Sequence, residues 1–134
     1  MKQKLQKGVA RHSLVSGFVP ILILIFLVAV IGAGKMAREH IRAFADIPGA
    51  TLVGIQSRTR SRTETLAREF NITGVYDSIP ELYEKTQAQL VVVAVFEMAM
   101  NTVSRTCFEF PWTVLLEKPP GYNVCDAEEI RDGS

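Results

Sequence analysis

The sequence has no surplus of charge. Fifteen lysines and arginines stand against fourteen aspartates and glutamates, a formal net charge of +1. No basic field therefore marks nucleic acid as a partner. Cysteine is scarce, and Cys107 and Cys125 fit no CxxC or zinc spacing. They read as two free thiols of a reducing compartment, which predicts a cytoplasmic protein, rather than as a disulfide or metal pair. Histidine is equally scarce, with only His12 and His40, so acid–base candidates of that type are few. There is no internal repeat and no low-complexity linker in the 134 residues, the length of one ordinary domain. Apolar residues are abundant, 48% against 22% charged. That is a globular composition, able to bury a core without disulfides or metals.

The N-terminus combines Lys2, Lys4, Lys7 and Arg11 with an apolar run from Phe18 to Ile31. A basic start followed by an apolar stretch is also how a signal peptide or membrane anchor reads. From Leu14 to Ala33 the run approaches the roughly 20 residues that a spanning helix needs. If 27–31 is instead a strand, only Leu14 to Phe26 remains, interrupted by Pro20 and short for a bilayer. The favoured reading is an apolar, basic extension over 1–26 and a folded domain over 27–134. Membrane contact by the N-terminus is the alternative.

From residue 27 short apolar runs alternate with amphipathic stretches. Leu27–Ile31, Thr51–Ile55, Val75–Tyr76, Leu90–Val95 and Thr113–Leu116 read as strands. Lys35–Ala45, with Ala37, Ile41, Phe44 and Ala45 inward, and Arg60–Phe70, with Leu66, Ala67 and Phe70 inward, read as helices. Ser78, Pro80 and Glu81 compose a capping box for a third helix. A fourth carries Ala99, Val103, Thr106, Cys107 and Phe110 inward and is stopped by Pro111, and a fifth begins at Asp126. Such alternation means parallel strands with right-handed crossovers. The expected fold is α/β, an open doubly wound sheet of the Rossmann type, ending before its last strand.

The first strand runs into Gly32-Ala-Gly34-Lys35-Met36-Ala37, a G-x-G-x-x-A turn at the start of a helix. Gly32 permits the tight turn, Gly34 lets backbone approach a diphosphate, and Ala37 lets the helix pack on the sheet. The free N–H groups and dipole at the helix start attract phosphate. The position between strand and helix is the context that gives the motif weight. Gly32, Gly34, Lys35, Met36 and Ala37 are thus candidate cofactor residues, the alternative being a tight turn with no ligand. About 20 residues on, where an NAD site carries Asp or Glu for the ribose hydroxyls, the chain reads Gln56-Ser57-Arg58-Thr59-Arg60-Ser61-Arg62. A guanidinium pairs bidentately with a 2′-phosphate that a carboxylate would repel. Ser57, Arg58 and Arg62 therefore favour NADP(H) over NAD(H). The alternative is a solvated helix start, although cations there oppose the helix dipole.

With Glu117-Lys118-Pro119 after the fifth strand, these residues resemble the glucose–fructose oxidoreductase / inositol dehydrogenase (Gfo/Idh/MocA) family. Gly32 to His40 looks like its G-x-G-x-x-[GA]-x-x-H opening, Ser57-Arg58 matches the Ser-Arg of members that accept NADP, and 76–82 resembles its short third strand and following helix. The resemblance covers about residues 27–131. It implies an oxidoreductase acting on a carbon–oxygen bond of a sugar or polyol, with Glu117 and Lys118 beside the cofactor and Lys118 catalytic, orienting or protonating the substrate oxygen. A lysine at the carboxyl edge of a parallel sheet stands where Rossmann ligands bind, and burial there would tune it for acid–base work; a surface lysine before a Pro-Pro turn is the other reading. The resemblance also implies a cis bond before Pro119. His40 reads as a packing residue.

Two departures qualify this. After the fourth strand the family runs Thr-Pro-Asn with a histidine three residues later; here Glu97 stands near the amide position and Met100 at the histidine, and a carboxylate there would repel phosphates. The family's second domain, with its substrate pocket and acid–base histidine, has no counterpart before Ser134. The expectation is a nucleotide-binding domain that turns over substrate poorly or not at all alone, and that meets a substrate-domain partner or a second copy of itself. A non-catalytic nucleotide-binding or regulatory module, and a membrane-anchored protein using residues 14–33, are the alternatives.

Overall fold

A computed structural model describes residues 25–134. The chain forms β1 (Phe26–Ile31), α1 (Lys35–Ala45), β2 (Ala50–Gln56), α2 (Arg60–Glu69), β3 (Val75–Tyr76), α3 (Ile79–Thr86), β4 (Leu90–Val93), α4 (Glu97–Cys107), β5 (Thr113–Leu116) and α5 (Val124–Gly133). Every strand pair is parallel, in the order β3-β2-β1-β4-β5. This is the expected doubly wound α/β Rossmann sheet.

Side chains of β1 alternate between its two faces. Val28 and Val30 pack with Ala37 and Ile41 of α1 and Leu66 and Ala67 of α2. Ala29 and Ile31 pack with Leu82 of α3, Met100 and Cys107 of α4 and Ile130 of α5. Two cores thus sandwich one sheet, and β1 and β4, which are buried on both faces, lack polar alternation. Burial of each valine or isoleucine contributes about 1.5–3 kcal/mol. One register shift separates Val28, paired with Leu52, from Ala29, paired with Gly54.

The capping box at α3 forms with a shifted return partner. Ser78 Oγ accepts from the Glu81 N–H at 3.2 Å, and the Glu81 carboxylate accepts from the Asp77 N–H at 3.0 Å, one residue ahead of the cap. Tyr83, Phe110 and Trp112 cluster below β5, and the Trp112 indole donates to the Cys107 carbonyl at 2.7 Å. That carbonyl, in the last turn of α4, also accepts from the Phe110 N–H at 3.2 Å; the helix ends at Cys107, well before Pro111. The Cys107 thiol is buried and pushed up to about 12 by that burial, as expected of an inert thiol.

The remaining differences are local. β1 begins at Phe26, so a helix over 14–33 is excluded from there on; residues 14–24 of that reading lie outside the described residues. Among the described residues no helix is long and apolar enough to cross a membrane. β4 stops at Val93, because its partner β1 ends at Ile31. Ala45 and Thr106 do not face the core; α4 buries Met100 and Ser104 instead. α5 starts at Val124, two residues before the expected Asp126, because the Asn123 side chain caps it through the Asp126 N–H at 2.9 Å.

Ser104 Oγ is buried and, among the described residues, has no hydrogen-bond partner. Such a hydroxyl carries a desolvation cost with no return. Ser104→Ala should leave stability unchanged or raise it by up to about 1 kcal/mol in urea unfolding. A loss of more than about 1 kcal/mol would mean that the hydroxyl is bonded.

Candidate functional site

The direction of winding reverses between β1 and β4, which opens a crevice outside their carboxyl ends. The Gly32 N–H donates to the Gln56 carbonyl at 2.8 Å, and the Ala94 N–H to the Ile31 carbonyl at 2.9 Å, so three strand ends converge there. Gly32 adopts φ +119°, and a Cβ on it would lie 2.2 Å from the Ala94 carbonyl oxygen. Glycine is required there by conformation and by space. Ala37 is fully buried, its methyl 3.6 Å from that same position.

Gly34 differs. Its φ is −90°, and a Cβ there would meet nothing within 4 Å. Packing among the described residues does not call for glycine there, and the position is open to a group approaching from outside. Gly34 is also the N-cap of α1, whose first turn holds no acidic residue and receives no side-chain cap. The N–H groups of that turn are left for an anion.

The cleft has a volume of about 340 Å³ and is lined by Gly32, Ala33, Gly34, Gln56, Ser57, Arg58, Thr59 and Arg62, together with Ile79, Ala94, Val95 and Phe96. Its size and apolar walls with a few convergent polar groups suit part of a dinucleotide. Ser57 Oγ holds the turn after β2, accepting from the Thr59 N–H at 3.2 Å and lying 2.6 Å from Thr63 Oγ1. The arginines divide. Arg60 is paired with Asp77 and Glu64, whose hydrogen bonds push its pKa up. Arg58 and Arg62 line the cleft, and among the described residues neither has an ion-pair partner. The Arg58 guanidinium instead lies over the Phe96 ring, 4.8 Å from its centroid.

Other expected residues fall elsewhere. Lys35 and Met36 are exposed in the first turn of α1, outside the cleft wall. Glu117 and Lys118 follow β5 and do not line the cleft either. The Glu117 carboxylate bonds His40 Nε2 of α1 and accepts from the Lys118 N–H at 3.1 Å, and these bonds, that to His40 foremost, hold it below the ordinary carboxylate value. His40 thereby ties α1 to the segment after β5. Lys118 is exposed, so the burial expected to tune it is not found; the bond to Pro119 is cis. Glu97 is exposed at the first position of α4, outside the cleft wall, where its charge suits the helix dipole. Met100 is 1% exposed and belongs to the core. Phe96 and Ile79 were given no site role in the sequence, and Gln56 was noted only in the stretch that lacks an acid. The one available signal was Phe96, an aromatic at a helix N-cap, where Ser, Thr, Asp or Asn is preferred.

The profile of an oxidoreductase family with an NAD-binding Rossmann fold, Gfo/Idh/MocA, matches residues 26–132. The chain belongs to this family. This Gfo/Idh/MocA domain is 25% identical over 103 residues to trans-1,2-dihydrobenzene-1,2-diol dehydrogenase of Mus musculus, covering 75% of the chain and 31% of that enzyme. It is similar in structure to myo-inositol dehydrogenase from Lactobacillus casei, solved with NAD(H) and myo-inositol (TM-score 0.76, 25% identity, 81% of this chain and 33% of that one). A 3-ketoreductase from Actinomadura kijaniata, solved with NADP and TDP-benzene, shares the fold (TM-score 0.71, 22% identity, 81% and 34%). The chain spans about a third of the length of each relative.

Two predictions follow from this geometry. Gly32→Ala should lower stability by at least about 2 kcal/mol through backbone strain and collision, whereas Gly34→Ala should cost no more than about 1 kcal/mol; equal thermal midpoints for the two would contradict the account of Gly32. Glu117 has a lowered folded pKa, so its contribution is present above the ordinary value near 4.5 and is lost as pH falls through the lower folded value. The stability advantage of wild type over Glu117→Gln should be present at about pH 5 and shrink toward about pH 3. An advantage that does not change with pH would remove the clasp from the account.

Proposed function

We propose that the cleft binds a nicotinamide dinucleotide, NADP(H) in preference to NAD(H), in an oxidoreductase acting on the CH–OH or C=O group of a sugar or polyol-like substrate. The observation that carries the preference is the pair of arginines without carboxylate partners, Arg58 and Arg62, at a strand end that presents Gln56 in place of an acid. The first turn of α1, opened by Gly32 and Gly34, would hold the diphosphate, with Lys35 and Met36 flanking it and Ala37 keeping the helix against the sheet. Ser57 sets the turn that carries Arg58. When bound, the nicotinamide supplies hydride transfer. Lys118 orients or protonates the substrate oxygen, and the His40–Glu117 pair holds the backbone that carries it.

Lys118 and the exposed Leu115 of the outer strand β5 would face a substrate domain, with a second copy of the chain as the alternative. Turnover is expected to need that domain, because the described residues bring no histidine to the cleft. A second reading, a nucleotide-binding module without catalysis, is favoured by Met100, which is sealed in the core where the family carries a histidine.

Titration of NADPH and NADH by fluorescence is the test. NADPH should bind at least about ten-fold more tightly, the discrimination that one charge-assisted phosphate contact supports. Arg58→Ala should remove most of that margin while NADH changes little. Gly34→Ala should weaken both nucleotides. Equal affinities in wild type would end the NADP(H) reading, and no binding of either would end the cofactor reading.

A further inference from the structure

Phe96 sits at the mouth of the cleft, on the segment that joins β4 to α4. It is a costly residue for that place. The residue is 51% exposed, so much of its surface is not removed from water. It is also the N-cap of α4, and no side chain caps that helix, although a small polar residue there would satisfy an orphan N–H. Neither helix formation nor core packing explains an aromatic side chain at this position. Its ring meets Arg58, across the crevice on the segment after β2.

We propose that Phe96 is a specificity-positioning residue, which holds the Arg58 guanidinium over its ring so that outward N–H donors are presented to a 2′-phosphate. A cation within about 6 Å of an aromatic centroid is attracted by the ring quadrupole, and the contact is 4.8 Å. The guanidinium is planar, and its five donors point outward in the plane. A ring that attracts the cation and a phosphate that accepts from its N–H groups can therefore engage the group together. The ring restricts an otherwise mobile side chain before the nucleotide arrives, which lowers the ordering cost of the phosphate contact. Ser57 and Thr59 fix the turn beneath Arg58, leaving the side chain itself to be placed by Phe96.

This inference rests on the NADP(H) reading, and one set of titrations separates the two. NADPH and NADH are titrated into wild type, Phe96→Ala, Phe96→Leu, Phe96→Tyr and Phe96→Trp, each checked for unchanged far-ultraviolet circular dichroism. Phe96→Ala and Phe96→Leu should lower the NADPH-over-NADH preference by about two- to five-fold, the range of an exposed cation–π contact, through weaker NADPH binding. Phe96→Tyr and Phe96→Trp should retain it. A wild type without preference overturns the NADP(H) reading and this inference with it. A preference that survives Phe96→Ala, or survives Phe96→Leu, overturns the inference alone. So does tighter NADPH binding by Phe96→Ala, which would mean that the ring withholds Arg58 from phosphate.

Discussion

The close approach of Gly32 to the carbonyl of Ala94 is the constraint on which the rest of the domain depends. A Cβ would lie 2.2 Å from that oxygen, so the turn after β1 can pass over the end of β4 only without a side chain. The two strands are hydrogen-bonded neighbours, yet their continuations belong to opposite layers: α1 packs on one core and α4 on the other. Backbone must turn sharply both ways within a few residues. The crevice between those turns is a consequence of topology, and it exists before any ligand is considered.

Around that crevice the electrostatics are local. The chain is nearly neutral overall, but no acid stands in the first turn of α1 or of α2. Helix ends of that kind carry partial positive charge. Arg60 spends its charge on Asp77 and Glu64, whereas Arg58 and Arg62 keep theirs at the cleft. A balanced sequence can thus hold a concentrated anion site, provided the acids are placed on other faces. Glu117 shows how one of them is occupied: His40 and the Lys118 N–H take its carboxylate, and it becomes a tie between α1 and the end of the sheet.

Much of this was legible from residue order. The strands near the centre are apolar runs because both faces are covered, and the glycines stand out because few other residues tolerate a positive φ or a crowded turn. Ser78 and Glu81 signalled the start of α3 through short-range hydrogen bonds. Contacts between residues distant in sequence were not legible. The pairing of His40 with Glu117 spans 77 residues. The contact of Arg58 with the Phe96 ring joins two loops that only strand order brings together. The inward face of α4 was read only in part, for the same reason: Val103, Cys107 and Phe110 pack on the core as expected, but Met100 and Ser104 were missed. Periodicity gives the width of a helical stripe, but its rotation depends on which layer the helix meets, and α4 turns Met100 and Ser104 to the sheet.

By itself the sequence determined the alternation of strand and helix, the parallel sheet, the glycine turn and the absence of a carboxylate after β2, since each is encoded within a few consecutive residues. Tertiary structure alone decided which arginines keep their charge for the cleft, that Lys118 stands exposed, and that Phe96 reaches across to Arg58. Those outcomes depend on the crossing of chain segments at the sheet's carboxyl edge, where neighbours in space are far apart along the chain.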